Sequence, residues 1–351
     1  MKKYFATFFA LANFAFANAA PQTLTYESLP HEMGTFCRVN REAKCWKSFA
    51  DEMAQLRPPG TERERQEQFG GYWMLANVAL FVGDFPESKE FFDTTLKLVV
   101  NLKSDTKSGG DQAFAGMMVR LSAADLALSM RDYATALKYL DEYSTQANKS
   151  FGRDTIFDAV ILQRCAALIG LSRNAEADVL LAELLQKLNF EGQSPWEGVP
   201  FGPQPLDPYQ TARRIAAHYM REHNFEQALA VLKTAEEKRL KTISLVPKEP
   251  VRGQYWATML DPADILDDKA AVYIAMGQDD QAEPLLMASL RERESTSNQQ
   301  LKRTLSKLAA LQMRAGQLAQ ARDFEARAGA IKLAERRPMT DPLVATLGFA
   351  E

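Results

Sequence analysis

The chain has 351 residues, 25% of them charged and 46% hydrophobic, which is the composition of an ordinary folded protein. Its net charge is −3 at pH 7, and this weakly acidic balance argues against general nucleic-acid binding, which needs concentrated positive charge. With three cysteines and three histidines, the chain has little material for a metal site, and we expect neither a metal nor a cofactor.

Residues 1–19 have the layout of a secretory signal peptide, with a buried N-terminal helix as the alternative. Lys2 and Lys3 precede a mostly apolar run, and Ala17-Asn18-Ala19 supplies an A-x-A cleavage site. The apolar run is too short for a bilayer, which takes about 20 residues, and no later segment is long and apolar enough to span one. The pattern predicts export to the periplasm of a Gram-negative bacterium, or secretion beyond it. Cleavage would leave 40 basic and 45 acidic residues, a net charge of −5.

Residues 20–69 do not share the repeating pattern of residues 70–336 and are interpreted as an N-terminal capping segment. Cys37 and Cys45 lie close together there, and in an exported chain we expect them to form a disulfide. A zinc pair is the alternative, although no further cysteine or histidine stands at ligand spacing. Cys165, by contrast, falls within an apolar helical pattern and is predicted to be a buried small residue.

Six helix–turn–helix stretches succeed one another along the chain. Each amphipathic helix ends at a turn, and a second helix with a small residue near its start comes next. A small residue is needed wherever two antiparallel helices cross closely. On the first helices these are Ala76, Ala124, Cys165, Ala216, Ala270 and Ala309; on the second they are Ser88, Ala136, Ala177, Ala228, Ala282 and Ala321; the turns fall at positions 83, 131, 172, 223, 277 and 316.

This pattern resembles the tetratricopeptide repeat (TPR) family over residues 70–336. The fifth unit, Ala-Val-Tyr-Ile-Ala-Met-Gly-Gln-Asp-Asp-Gln-Ala-Glu-Pro-Leu-Leu at 271–286, is similar to the kinesin-light-chain type. Successive turns are 39 to 54 residues apart, longer than the 34 usual for the family. The resemblance implies an all-α fold, a right-handed helical solenoid of about six irregular TPR-like helix pairs, with residues 337–351 as a C-terminal tail. A generic irregular helical bundle is the alternative.

The resemblance also implies a binding groove lined by the first helix of each pair. Its chemistry would be amphipathic, and it would suit an extended peptide or a helix. Two proline-rich insertions, 189–208 and 241–263, would pack between units or contact a partner. Carried over position by position, the partner-binding candidates are Trp73, Asn77, Asp125, Arg213, Met220, Asp267, Arg303 and Arg314.

Signals for catalysis are weak throughout the sequence. His218 and His223 are five residues apart, which puts them on different faces of a helix, and we interpret them as surface histidines near a helix end. Asp264, Asp267 and Asp268 cluster at the start of a helix, where the helix dipole favours negative charge. We therefore assign no catalytic and no metal-ligating residue.

We expect an exported protein-binding scaffold, an adaptor or a partner-blocking protein that is not an enzyme. Its partner would be a protein or a peptide and not a nucleic acid, and self-association is possible in principle. Two alternatives stay open, a cell-envelope enzyme acting on cell-wall carbohydrate and a self-associating structural envelope protein.

Overall fold

The computed structural model describes residues 45–101, 110–151, 158–190, 207–245, 261–293 and 298–331, which contain thirteen α-helices and no strand. The predicted signal peptide, Cys37 and the tail 337–351 lie outside these residues, as does most of each proline-rich insertion. The helices are α1 (Cys45–Ala54), α2 (Glu62–Val82), α3 (Phe85–Asn101), α4 (Gly110–Ser129), α5 (Tyr133–Phe151), α6 (Asp158–Gly170), α7 (Asn174–Lys187), α8 (Pro208–Arg221), α9 (Phe225–Leu245), α10 (Pro262–Ala275), α11 (Asp279–Arg293), α12 (Asn298–Arg314) and α13 (Leu318–Ala330).

Each of the six predicted turns is present and has the same backbone conformation. One or two residues after the end of the first helix, the chain has a residue with a left-handed φ, between 58° and 80°. In the second turn, for example, Arg131 N–H bonds to Leu128 O at 3.0 Å and Asp132 N–H bonds to Ala127 O at 2.8 Å, the Schellman pattern. The prediction of the turns is confirmed, at Gly83, Arg131, Ser172, His223, Gly277 and Gly316.

The small residues lie where the paired helices cross. All twelve predicted positions are at most 3% exposed. In the first pair the Ser88 hydroxyl donates to the Ala76 carbonyl at 2.8 Å, so the two predicted positions touch directly. A larger side chain there would push the helices apart, because the interior is close-packed.

Local capping signals explain where several helices begin. Thr61 and Glu64 form a capping box at the start of α2, eight residues before the predicted first repeat. Asp207 before α8 and Asp261 before α10 each cap a helix that opens with proline, which has no N–H to leave unpaired. Within the described residues, no helix combines the length and the apolar character that a membrane crossing needs.

The chain divides into two compact units. Among the described residues, unit 1 holds α1 to α6 and unit 2 holds α7 to α13. One apolar core of unit 1 is centred on Leu75 and Phe92. Another is centred on Met117 and Tyr143. A core of unit 2 joins α10 to α13 through residues such as Leu286, Leu305, Leu308 and Phe324.

Candidate partner-binding site

An open depression lies in unit 1, along the outer face of α5. Its volume is about 1220 Å³. Positions 134, 138, 141, 145 and 149 recur every three or four residues and therefore share one face of the helix. This surface, the α5 groove, is lined by Ala113, Arg120, Ala134, Leu137, Lys138, Asp141, Glu142, Thr145, Gln146, Lys149, Leu171 and Arg173.

The two carboxylates of the α5 groove are both paired with arginines from neighbouring helices. Arg120 of α4 donates from Nε to Glu142 Oε2 at 3.0 Å, and its Nη1 bonds to Gly116 O at 2.9 Å. Arg164 of α6 pairs with Asp141. These contacts tie α5 to the helix before it and to the helix after it.

The lysines of the groove are placed differently. Lys138 and Lys149 are exposed, and neither forms an ion pair with any residue in the described ranges. Arg173, in the turn after α6, adds a third exposed cation at the end near Lys138. Lys138 and Lys149 thus present positive charge to solvent, whereas the two carboxylates of this surface are paired with arginines.

The apolar part of the groove lies toward the beginning of α5. Leu171, which is 37% exposed, lines the groove together with Ala134 and the buried Leu137. Behind this end, the Tyr133 ring packs on Gly170, so closely that a Cβ on Gly170 would lie 2.4 Å from ring carbons. The absence of a side chain at Gly170 therefore fixes how α6 approaches the start of α5.

The inner face of α5 is held by Tyr143. This side chain is fully buried, and burial raises the pKa of its phenol to about 12. Its hydroxyl finds no hydrogen-bond partner among the described residues. The groove face of α5 is therefore exposed and charged, while its opposite face is anchored in an apolar core.

Unit 2 contains a buried ionic cluster, here named the Arg293 cluster, formed by Arg213, Arg293, Asp264, Asp267 and Asp268. Arg293 is only 2% exposed, and its Nη1 donates to Asp267 Oδ2 at 2.7 Å. Its Nη2 bonds to Asp264 Oδ1 at 2.5 Å. Thr304 of α12 also donates to Asp267 Oδ2, at 3.0 Å. One guanidinium thus joins the end of α11 and the first half of α12 to the start of α10.

Arg213 extends the cluster to α8. Its Nη1 donates to Asp264 Oδ2 at 2.6 Å, and it forms a two-nitrogen contact with Asp268. Burial raises the pKa of the Asp268 carboxyl, an effect that the neighbouring Arg213 and Lys307 oppose and Asp264 reinforces. The three aspartates that sequence analysis assigned to a helix dipole are therefore partners of arginines from other helices.

His218 corrects a second expectation. It is buried, 1% exposed, and its Nε2 lies 2.7 Å from Asp178 Oδ1, which joins α8 to α7. His223 is exposed in the turn after α8, as expected of a surface histidine. Helical periodicity separates the faces of the two residues but does not show which face is covered. Among the described residues, no group of three or more His, Cys, Asp or Glu is arranged to hold a metal ion.

The predicted partner-binding residues do not come together in one place. Arg213 and Asp267 belong to the Arg293 cluster, and the buried Asp267 presents no surface. Asp125 Oδ1 accepts a hydrogen bond from Gln163, which joins α4 to α6. Arg314 is exposed and forms a bidentate pair with Asp279, 2.8 and 2.7 Å long, that lowers the Asp279 pKa.

The remaining candidates are half-buried positions on first helices. Asn77 donates to the Trp73 carbonyl within its own helix, at 2.7 Å. Trp73 packs against Phe69, with ring centroids 6.1 Å apart. Met220 lies in α8 and Arg303 in α12. For these positions a role in binding stays a prediction.

The α5 groove was not predicted from the sequence. The TPR resemblance implies a groove lined by first helices, whereas α5 is the second helix of its pair. The stripe of Lys138, Asp141, Thr145 and Lys149 at helical spacing is visible in the sequence. It is indistinguishable there from any solvated helix face. No pattern in the sequence indicates that Arg293 is buried, because its burial depends on aspartates 26 to 29 residues away.

Comparisons with known proteins support the fold. No protein-family model and no curated protein sequence matches this chain. The structure is similar to the signal transduction ATPase with numerous domains PH0952 of Pyrococcus horikoshii, described as having a tetratricopeptide repeat sensor. The TM-score is 0.56 and the identity 12%, over 86% of this chain and 41% of that one.

The apo quorum sensor NprR of B. thuringiensis has a TM-score of 0.49 and 14% identity, over 88% of this chain and 77% of that one. NprR in complex with its cognate peptide NprX has a TM-score of 0.44 and 14% identity, over 92% and 81%. Similarity at such identities concerns the fold alone. The archaeal sensor, together with the six turns, confirms an all-α fold of TPR-like helix pairs. The kinesin-light-chain resemblance stays a prediction.

Proposed function

We propose that this chain is an exported scaffold that binds a segment of a partner protein and transforms no substrate. The observation that carries the proposal is the α5 groove. Small-molecule sites are concave and enclosed, with volumes of roughly 300–1,000 Å³ and mainly apolar walls. The α5 groove measures about 1220 Å³, is open and mixes charged, polar and apolar side chains. These are the properties of a surface that receives a length of polypeptide.

The architecture supports the same proposal. Stacked helix pairs bury their apolar faces against each other and leave long exposed faces, which such proteins use as binding surfaces. Because one fold serves many functions, the fold alone does not identify the partner. The α5 groove is the specific surface on which a partner segment would bind. Leu171 and Ala134 at one end provide apolar contact area.

Photo-cross-linking in living cells tests the scaffold proposal directly. A photoreactive phenylalanine at Thr145, exposed at the middle of the groove, is compared with the same residue at Thr234, exposed on α9 in unit 2. We expect one defined adduct from position 145 and none from position 234. A blocking variant, Ala134→Trp, should reduce the adduct, whereas Ala230→Trp on α9 should not.

The outcomes separate clearly. No adduct at position 145, at native expression level, would contradict a scaffold that uses this groove. Equal adducts at both positions would indicate nonspecific contact and would also count against it. Each variant is first compared with the unaltered chain by circular dichroism, so that misfolding is recognised.

The exported location is the second part of the proposal. It is supported by the basic start, the short apolar run and the Ala17-Asn18-Ala19 site in the sequence. Intact-mass measurement of the protein released by osmotic shock should show a chain that begins at Ala20. A full-length chain found only in the cytosolic fraction would contradict export without touching the scaffold proposal.

A further inference from the structure

The α5 groove carries uncommitted positive charge on a protein that is acidic as a whole. Glu142 and Asp141 are held by Arg120 and Arg164, and these pairs leave little charge for a ligand. Lys138 and Lys149 have no such partner among the described residues. Since the chain has a net charge of −3, this local excess is not a consequence of general basicity.

The two lysines are spaced so that one ligand can contact both. They are eleven residues apart, which is about three full turns, so they lie on the same face of α5. The rise of roughly 1.5 Å per residue separates them by about 16 Å along the helix. Alternate side chains of an extended peptide point to the same side, so two carboxylates that face α5 are an even number of residues apart. A spacing of four residues covers roughly 13 Å at about 3.3 Å per residue, and the flexible lysine side chains can make up the difference.

The surface between and beside the lysines also suits a peptide. The Thr145 side chain is exposed between them and offers a hydroxyl to a passing backbone group. Leu171 and Ala134 lie beyond Lys138 and can cover an apolar side chain. The groove therefore offers two cationic points, a polar middle and one apolar end.

A nucleic acid is a poorer fit for the same positive charge. Its phosphates recur along the whole strand, so those between the two lysines would lie over the Asp141–Arg164 and Glu142–Arg120 pairs, which offer them no uncommitted positive charge. A peptide carries its carboxylates only where its sequence places them and can avoid these two positions. The alternation of charges along α5 thus favours a polypeptide with spaced acidic residues.

We propose that the α5 groove binds an extended acidic segment of the partner, in which two carboxylates about four residues apart, on the same side of the segment, pair with Lys138 and Lys149. An apolar side chain two residues beyond the Lys138-bound carboxylate, and therefore on the same side of the segment, packs against Leu171. This inference rests on the proposed scaffold function, to which it adds the chemical class of the partner.

Fluorescence anisotropy with synthetic peptides tests the chemistry. The probe is a labelled eight-residue peptide, Leu-Ala-Glu-Ala-Ser-Ala-Glu-Gly, whose two glutamates are four positions apart and whose leucine lies on the same side of the extended chain, outside the glutamate pair. It is compared with a peptide in which both glutamates are replaced by glutamine and with a single-stranded oligo-dT of eight nucleotides. We expect the glutamate peptide to bind roughly tenfold more tightly than the glutamine peptide, and more weakly as salt rises.

A charge-reversed variant tests the site. Lys138→Glu/Lys149→Glu should weaken binding of the glutamate peptide by roughly tenfold or more. The matched control is Lys238→Glu/Lys187→Glu in unit 2. Lys187 lies in the last turn of its helix, as Lys149 does, and both control lysines are exposed and without an ion pair in the described residues. Net charge changes equally in the two variants, so the control should bind as the unaltered chain does.

Three results would overturn the inference. These are equal loss of binding in both double variants, equal binding of the glutamate and glutamine peptides, and tighter binding of oligo-dT than of the glutamate peptide. The cross-link from position 145 then separates this inference from the scaffold proposal. An adduct that persists unchanged in Lys138→Glu/Lys149→Glu refutes the acidic segment alone, whereas no adduct from the unaltered chain refutes the scaffold.

Discussion

Charged residues have opposite roles in the two units. In unit 1, the α5 groove exposes Lys138 and Lys149 to solvent and pairs its carboxylates at the rim. In unit 2, the Arg293 cluster buries Arg293, Asp267 and Asp268, partly buries Arg213 and Asp264, and joins α8, α10, α11 and α12. The first arrangement leaves charge available to a ligand, while the second uses it to hold helices together.

The difference shows that burial, and not residue type, decides what an arginine or an aspartate does in this protein. Exposed pairs contribute little to stability because water and salt screen them. A buried charge costs several kcal/mol to desolvate, so loss of its partner is strongly destabilising. Variants that remove one charge from each arrangement therefore separate the two roles.

The largest expected effect comes from Arg293→Met. Asp264 and Asp267 would be left buried without their shared partner, which costs about 3–5 kcal/mol of unfolding free energy. Urea unfolding monitored by circular dichroism measures the loss, and hydrogen exchange should locate it in α10 to α12.

The matched control is Arg314→Met. Its pair with Asp279 has good geometry but is exposed, so the loss should stay below about 1 kcal/mol. If the two variants lost the same free energy, the contrast between buried and exposed charge would be wrong.

A second variant tests the packing behind the α5 groove. Gly170→Ala forces a methyl group against the Tyr133 ring and should cost about 1–3 kcal/mol. Gly70→Ala is the control, because Gly70 also lies inside a helix of unit 1 but has open space around it. That change should stabilise the unit by up to about 1 kcal/mol through the better helix propensity of alanine. If both variants changed the unfolding free energy in the same direction, the close contact between Gly170 and Tyr133 would be contradicted.

Tyr143→Phe tests the buried side of α5 and should raise stability. The change removes a buried hydroxyl that has no partner in the described residues, and we expect a gain of about 1 kcal/mol. Thermal unfolding measures it. In the unaltered chain, ultraviolet titration should show one tyrosine that ionises near pH 12 and is missing from the variant. A loss of stability would mean that the hydroxyl is bonded.

The smallest effect concerns the pH dependence of unit 2. Because burial raises the pKa of Asp268, the folded state binds this proton more tightly than the unfolded state does. Its contribution to stability is therefore greatest below the unfolded pKa, near 3.9, and declines as pH rises through the folded value. Urea unfolding from pH 4 to pH 7 should show the unaltered chain losing stability relative to Asp268→Asn. If the unaltered chain instead gained unfolding free energy relative to Asp268→Asn as pH rises, the pairing with Arg213 would have a larger effect on the Asp268 pKa than burial has.

Much of the local fold could be predicted from the sequence because the signals are short-range. Small residues at fixed distances from a turn predicted all six helix pairs, and every turn position is left-handed in the structure. At Arg131, Ser172 and His223 the turn forms without glycine. The hydrogen bonds that close a helix end are thus sufficient to hold these residues in a conformation they rarely adopt.

The candidate site could not be predicted in the same way. The sequence places Lys138 and Lys149 on one helix face, but only the structure shows that Arg120 and Arg164 neutralise the carboxylates between them. Likewise, the sequence pattern predicted Asp267 as a groove residue, whereas in the structure its carboxylate is bound by Arg293 and Thr304.

The sequence by itself determined the helices, their turns and the close crossing of each pair, since these depend on residues only a few positions apart. Tertiary structure alone decided which charges are buried and paired and which stay open. That outcome depends on long side chains that reach across to other helices, and on how much water the surrounding packing excludes.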